Sequence, residues 1–171
     1  MKKIFLVAVI ALLATPLFAS DMKFDGKFGY ARIKGGANGF VIGPAMYYSL
    51  YTDTGFVKDI SIGLGLDFVM AKTPVVLTVP AAWVYNILVG PEARLEMPYS
   101  YFKVGFGYDY TYDHTRVSST NSNALGMKVG LGGLYEIAEG TKLGLDFTFI
   151  ERLTDGTAWS INVGPMVSFD L

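Results

Sequence analysis

VKDISIGLGLDFVM, Val57 to Met70, places a large apolar residue at every second position from Ile60 onward: Ile60, Ile62, Leu64, Leu66, Phe68 and Met70. Asp59, Ser61, Gly63, Gly65 and Asp67 stand between them, all small or charged. A period of two belongs to a β-strand with one oily face and one wet face. Tyr101 to Tyr112 repeats the pattern. There Phe102, Val104, Phe106, Tyr108, Tyr110 and Tyr112 alternate with Tyr101, Lys103, Gly105, Gly107, Asp109 and Thr111. Both runs are longer than an ordinary soluble strand and suit a tilted strand crossing a bilayer.

The pattern extends in both directions. Turn-forming clusters at 35–38, 52–55, 71–74, 138–140 and 154–156, with longer connectors at 90–98 and 114–123, divide the chain. Eight strands are predicted, at 22–34, 39–52, 57–70, 75–89, 98–113, 123–137, 141–152 and 157–170. An even count lets both chain ends lie on the periplasmic side, as in an antiparallel up-and-down transmembrane barrel. Volume sets the orientation of the faces. The interior of an eight-stranded barrel holds few side chains or one small ligand, so five or six bulky residues per strand must face outward. A soluble, lipocalin-like barrel with its oily face inward is the rival that this argument disfavours. Aromatic rings then form two belts, with Phe68, Tyr108, Tyr110, Tyr112, Phe149 and Trp159 at the outer mouth. Phe24, Tyr48, Tyr85, Phe102, Tyr135 and Phe169 form the periplasmic belt.

The first residues read as a secretory signal peptide: Lys2-Lys3, an apolar run Ile4–Leu13, and the exit Leu17-Phe18-Ala19. Residues 1–19 are expected to be removed, leaving a barrel of residues 20–171 in the outer membrane. That segment holds 12 basic and 15 acidic residues, a formal charge of −3 that offers nothing to nucleic acid. There is no cysteine, hence no disulfide and no lipidated N-terminal cysteine.

Asn162, Gly164, Val167 and Phe169 in the last strand have the spacing of the C-terminal targeting signal of bacterial outer-membrane barrels. The extra Asp170-Leu171 departs from the usual terminal aromatic. With the eight strands and the leader, residues 20–171 resemble the small outer-membrane β-barrel superfamily of Gram-negative bacteria. Its members include the OmpX/Ail and OmpW types and the barrel of OmpA. The resemblance implies outer-membrane lipid and lipopolysaccharide as surroundings, the barrel-assembly machinery as a partner of the last strand, and a monomer. Members of the superfamily differ in activity, so the shared fold carries no function across.

Candidate chemistry is sparse. Lys23, Asp25, Lys27, Asp59, Asp67, Lys103, Asp109, Lys128, Glu136, Lys142 and Asp146 fall on the lumen-facing parity. Charges of both signs in a narrow tube must pair, and this predicts a salt-bridged plug in preference to a conducting pore. Val76, Thr78, Pro80, Ala82 and Val84, inward on the fourth strand, are largely apolar and suit packing filler or a small pocket. The single histidine, His114, lies near Asp113 and Ser118, yet Arg116 occupies the place where deacylases of this fold carry a serine. No catalytic residue is assigned. Asp109, Asp113 and Asp155 read as a solvated acidic rim before a cation site, and neither metal nor cofactor is expected. The reading is therefore a non-enzymatic barrel with a structural or surface-interaction role. A narrow channel for small solutes, apolar ones included, is the alternative, and a lipid A-modifying enzyme the third.

Overall fold

The computed structural model describes residues 21–74, 82–114, 119–153 and 159–171. These form eight strands: β1 Met22–Ile33, β2 Ala37–Thr54, β3 Val57–Lys72, β4 Trp83–Met97, β5 Ser100–His114, β6 Ser119–Ala138, β7 Thr141–Arg152 and β8 Trp159–Asp170. Each pairs antiparallel with its sequence neighbours, and β8 closes on β1 with Phe24 opposite Phe169, giving one closed barrel. Among the described residues there is no helix. Closure leaves no strand edge unpaired, which a span through hydrocarbon requires.

The faces divide as alternation demands. Ile62, Leu64, Phe106, Leu131 and Leu145 are exposed on the outer wall, while Asp59, Ser61, Asp67, Lys103 and Asp109 are buried inside. The start of β1 and the end of β8 lie together: the Leu171 amide donates to the Met22 carbonyl at 2.8 Å. At that end the hairpins turn in two residues, Gly55–Phe56, Pro98–Tyr99 and Glu139–Gly140. Gly55 and Gly140 take φ of 70° and 69°, the left-handed backbone such turns need. The connectors at the opposite mouth are longer, the shortest of them the three residues Lys34–Gly36.

Two boundaries depart from expectation. The connector expected at 114–123 shrinks to 115–118, because β5 runs to His114 and β6 begins at Ser119, paired with it. Of residues 90–98, predicted as a connector, all but Pro98 continue β4 to Met97, paired with β3 through Glu96. The predicted start of that strand, 75–81, lies outside the described residues, as do connector residues 154–156 and 115–118. The misplacement comes from Gly90-Pro91, a strong turn signal here embedded in a strand. The same dipeptide recurs as Gly43-Pro44 in β2 and Gly164-Pro165 in β8. Every time, the ladder is interrupted on one side only: β2–β3 at 43–44, β4–β5 at 90–91 and β8–β1 at 164–165. Proline has no N–H to donate there. The glycines compensate in shape. At Gly90 opposite Gly107, and at Gly164 opposite Gly29, a Cβ would strike the facing backbone. These close approaches permit the strong coiling of a narrow barrel.

Moving β4 also moves its rings. Tyr85, expected in the belt nearest the termini, lies opposite Met70 and Tyr112 and belongs to the far mouth. There it stacks between Phe68 (6.5 Å) and Tyr112 (6.1 Å), with His114 beyond at 6.0 Å from Tyr112.

Candidate functional site

The lumen is filled by side chains of opposite charge. Lys23, Lys27, Arg94, Lys103, Lys128, Lys142 and Arg152 face Asp25, Asp59, Asp67, Glu92, Glu96, Asp109 and Asp146, and each of these carboxylates touches at least one cation. Nearest the chain ends, Lys23 Nζ lies 3.3 Å from Asp59 and 3.2 Å from Glu96. Lys142 Nζ donates to the other Glu96 oxygen at 2.6 Å.

Arg94 forms the next layer. Its side chain has no exposed surface; Nη1 donates to Asp25 at 2.5 Å and Nη2 to Glu96 at 3.0 Å. The guanidinium also lies 4.8 Å from the centre of the Tyr101 ring and 5.4 Å from that of Tyr47. A planar cation with five donors suits this double role, donating in plane and stacking out of plane. The two tyrosines tie it to the following layer, Tyr47 donating to Glu92 at 2.8 Å and Tyr101 to Asp146.

In that layer Lys27 bridges Asp67 (2.5 Å) and Asp146 (3.2 Å). Lys103 reaches Asp146 at 2.6 Å, and Lys128 joins Asp67 (2.7 Å) to Glu92. Glycines make room: a Cβ on Gly65 would meet the Glu92 carboxylate, and one on Gly130 would meet the Lys103 side chain. Desolvated ions are tolerated only with this density of partners.

Toward the far mouth the lining changes. Ala31, Ala37, Val41, Val69 and Ala71 form a buried apolar cluster on β1–β3. Leu88 of β4, 1% exposed, points at Gly126. Beyond it stands a second, separate polar group. Arg152 Nε lies 2.9 Å from Asp109, Asn86 donates to both Asp109 oxygens at 2.9 Å, and Thr111 donates to Asp109 at 3.2 Å. Arg152 also donates to Ser122 at 3.1 Å. Above this group opens a cavity of about 340 Å³, walled by Ile33, Ala37, Ala82, Val84 and Ile150 and bordered by Trp159 and Ser160.

Ten of the eleven charged residues expected in the lumen are found there; Glu136 is not. It is exposed at the rim, beside the register shift between Glu136 and Ala138. The expected acidic rim is also revised, since Asp109 is fully buried and held by Arg152; Asp155 lies outside the described residues. His114 is exposed against Tyr112, whereas Asp113 borders the cavity on the other face of β5. Ser118 and Arg116 lie outside the described residues. Ala82 and Val84 do line a pocket, as the apolar inward face of the fourth strand suggested; Val76, Thr78 and Pro80 lie outside the described residues.

Sequence reading missed Glu92, Arg94 and Glu96, the residues that join the layers. Alternation carried through the glycine-proline pair would have found them: Val84, Asn86, Leu88, Gly90, Glu92, Arg94 and Glu96 share one parity. Tyr47 and Arg152 had no comparable signal.

No protein-family model matches the sequence, and no curated protein matches it. Solved structures do match the fold. Neisserial surface protein A (NspA) is 12% identical, with a TM-score of 0.61 over 90% of this chain and 98% of that one. Ail of Yersinia pestis, in complex with the heparin analogue sucrose octasulfate, is 12% identical (TM-score 0.55; 87% and 98% covered). OprG of Pseudomonas aeruginosa, an outer membrane protein, is also 12% identical (TM-score 0.53; 87% and 96% covered).

Proposed function

We propose that this chain, which has the fold of the small eight-stranded outer-membrane barrels, is a non-enzymatic outer-membrane protein with a closed lumen and a structural or surface-interaction role. The supporting observation is the lumen itself. Its charges are matched in number and contact one another across three successive layers, with Arg94 held between two tyrosine rings, and a separate Asp109–Arg152 pair stands beyond them. Charges that satisfy one another leave no continuous file of mobile water for an ion to follow.

The same reading places residues 1–19 as a cleaved signal peptide and residues 20–171 as the barrel. It orients the chain ends to the periplasm and the longer connectors to the exterior. Outer-membrane lipid and lipopolysaccharide surround a monomer, delivered by the barrel-assembly machinery through β8. Catalysis is disfavoured because His114 and Asp113 point to opposite faces of β5, while a triad needs base and carboxylate together.

Reconstitution in planar bilayers tests the closed lumen. The unmodified protein is expected to give no steady ionic current. Reproducible single-channel conductance would overturn the reading in favour of a narrow channel for small solutes.

A further inference from the structure

We propose that the outer wall at the far mouth carries a docking site for the phosphate of a membrane lipid, formed by Arg32 and Lys72 with Asn38 between them. The strand register puts these residues in one row. Arg32 stands opposite Asn38, Asn38 opposite Lys72, Lys72 opposite Trp83, and Trp83 opposite His114. All five are exposed, on the outward parity of their strands. The row beneath them toward the middle of the wall is Tyr30, Phe40, Met70, Tyr85 and Tyr112, aromatic but for the methionine. Amphipathic rings mark the depth of lipid head groups, so the two cations lie at the level of the phosphates. This placement rests on the reading of the barrel as membrane-spanning.

Charge complementarity identifies the occupant. Among the described residues neither Arg32 nor Lys72 has a carboxylate partner, and neither row contains an acid. Lys72 lies instead over the Trp83 ring, 5.7 Å from its centre. Asp113 borders the cavity on the other face of β5, and outward-facing Glu151 stands on β7, with β8 between it and β1. The rim at the chain ends has the opposite sign, with Asp21, Glu136 and Glu139 exposed. Two strand spacings, about 10 Å, separate Arg32 from Lys72, and both side chains are long enough to meet on one phosphate. Asn38 is braced between them: the Tyr30 hydroxyl donates to its Oδ1, and its Nδ2 donates to the Gly36 carbonyl at 3.0 Å. The second N–H of that amide is left for the ligand. A phosphate monoester, close to two negative charges at neutral pH, matches two cations, whereas a diester matches one. The occupant is therefore a lipid with a phosphate monoester in its head group, its chains lying over the aromatic row.

Quenching of Trp83 fluorescence by brominated lipids provides the test, in a Trp159→Phe background that leaves Trp83 as the one tryptophan. The protein is reconstituted in phosphatidylcholine with increasing brominated phosphatidic acid, a phosphate monoester. Phosphatidic acid should be preferred over phosphatidylcholine about twentyfold, about fivefold for each cation, and phosphatidylglycerol, a diester, by less. Arg32→Gln and Lys72→Gln should each lower the preference about fivefold, and the double variant should show none. Lys58→Gln, at the other rim, should leave it unchanged. Equal quenching by phosphatidic acid and phosphatidylcholine, a preference that survives in the double variant, or an equal loss with Lys58→Gln would overturn the proposal. Displacement of the lipid by inorganic phosphate would mean a site for a soluble anion and overturn it too. Brominated phosphatidylcholine on its own should quench Trp83 partly; no quenching at all would overturn the membrane span, and the proposal with it.

Discussion

Arg94 concentrates the physics of the lumen in one side chain. It has no exposed surface and satisfies two carboxylates while two rings cover its faces. Arg94→Leu keeps much of the volume but leaves Asp25 without its cation and Glu96 with only the lysines. Removing one partner of a buried pair costs about 3–5 kcal/mol, because the remaining charge stays desolvated. Urea unfolding of the refolded barrel in detergent micelles should show a loss of this size. Arg94→Lys should recover only part of it, since an ammonium can neither donate in a fork nor stack as a plane. Full stability of Arg94→Leu would mean that the ion pairs contribute nothing net.

At the scale of the element, β7 and β4 mark the two limits of what a sequence discloses. Leu143, Leu145, Phe147 and Phe149 alternate with Lys142, Gly144, Asp146 and Thr148, and the expected strand 141–152 is the observed one. In β4 the local chemistry of Gly90-Pro91 contradicts the alternation around it, and the alternation wins. Pairing with β3 continues through Leu64 opposite Pro91, and only the β5 side loses its bond. Local turn propensity is weaker than two flanking ladders, so β2, β4 and β8 each keep their proline. Which lumen residue meets which was not legible. Asp25 and Arg94 are 69 positions apart, and their contact depends on closure of the whole ring. The last strand carries the element-scale prediction. Phe169 and Asp170 pair with Phe24 and Lys23, closing the barrel at the end where assembly recognition is proposed. Deleting Phe169–Leu171 should therefore lower membrane levels in cells far more than deleting three of residues 115–118. Equal levels would remove the case for a targeting role of β8.

For the whole molecule, the oily exterior and the charged interior were both legible because side-chain parity assigns them together. Bulky residues cannot fit inside eight strands, so the decision about one face decides the other. The proposed insertion of the barrel in the outer membrane, with the proposed removal of residues 1–19, predicts a mature protein that begins at Ser20. It should fractionate with outer-membrane vesicles and require detergent for extraction. Intact-mass spectrometry checks the first statement and density fractionation the second. A retained leader, or a protein found in the aqueous fraction, would contradict the assignment.

The uneven lengths of the connectors also make the molecule one-sided as a carrier of foreign sequence. Three of its hairpins turn in two residues at Gly55–Phe56, Pro98–Tyr99 and Glu139–Gly140. A single residue spliced into one of these and absorbed by a neighbouring strand would exchange that strand's two faces. Lysines and carboxylates would then be thrust into hydrocarbon, and leucines into a tube with no room for them. An epitope grafted past the Lys72–Trp83 pair, at the opposite mouth, is expected to leave the β3–β4 register unchanged. As a display scaffold, the barrel accepts cargo at one mouth and refuses it at the other.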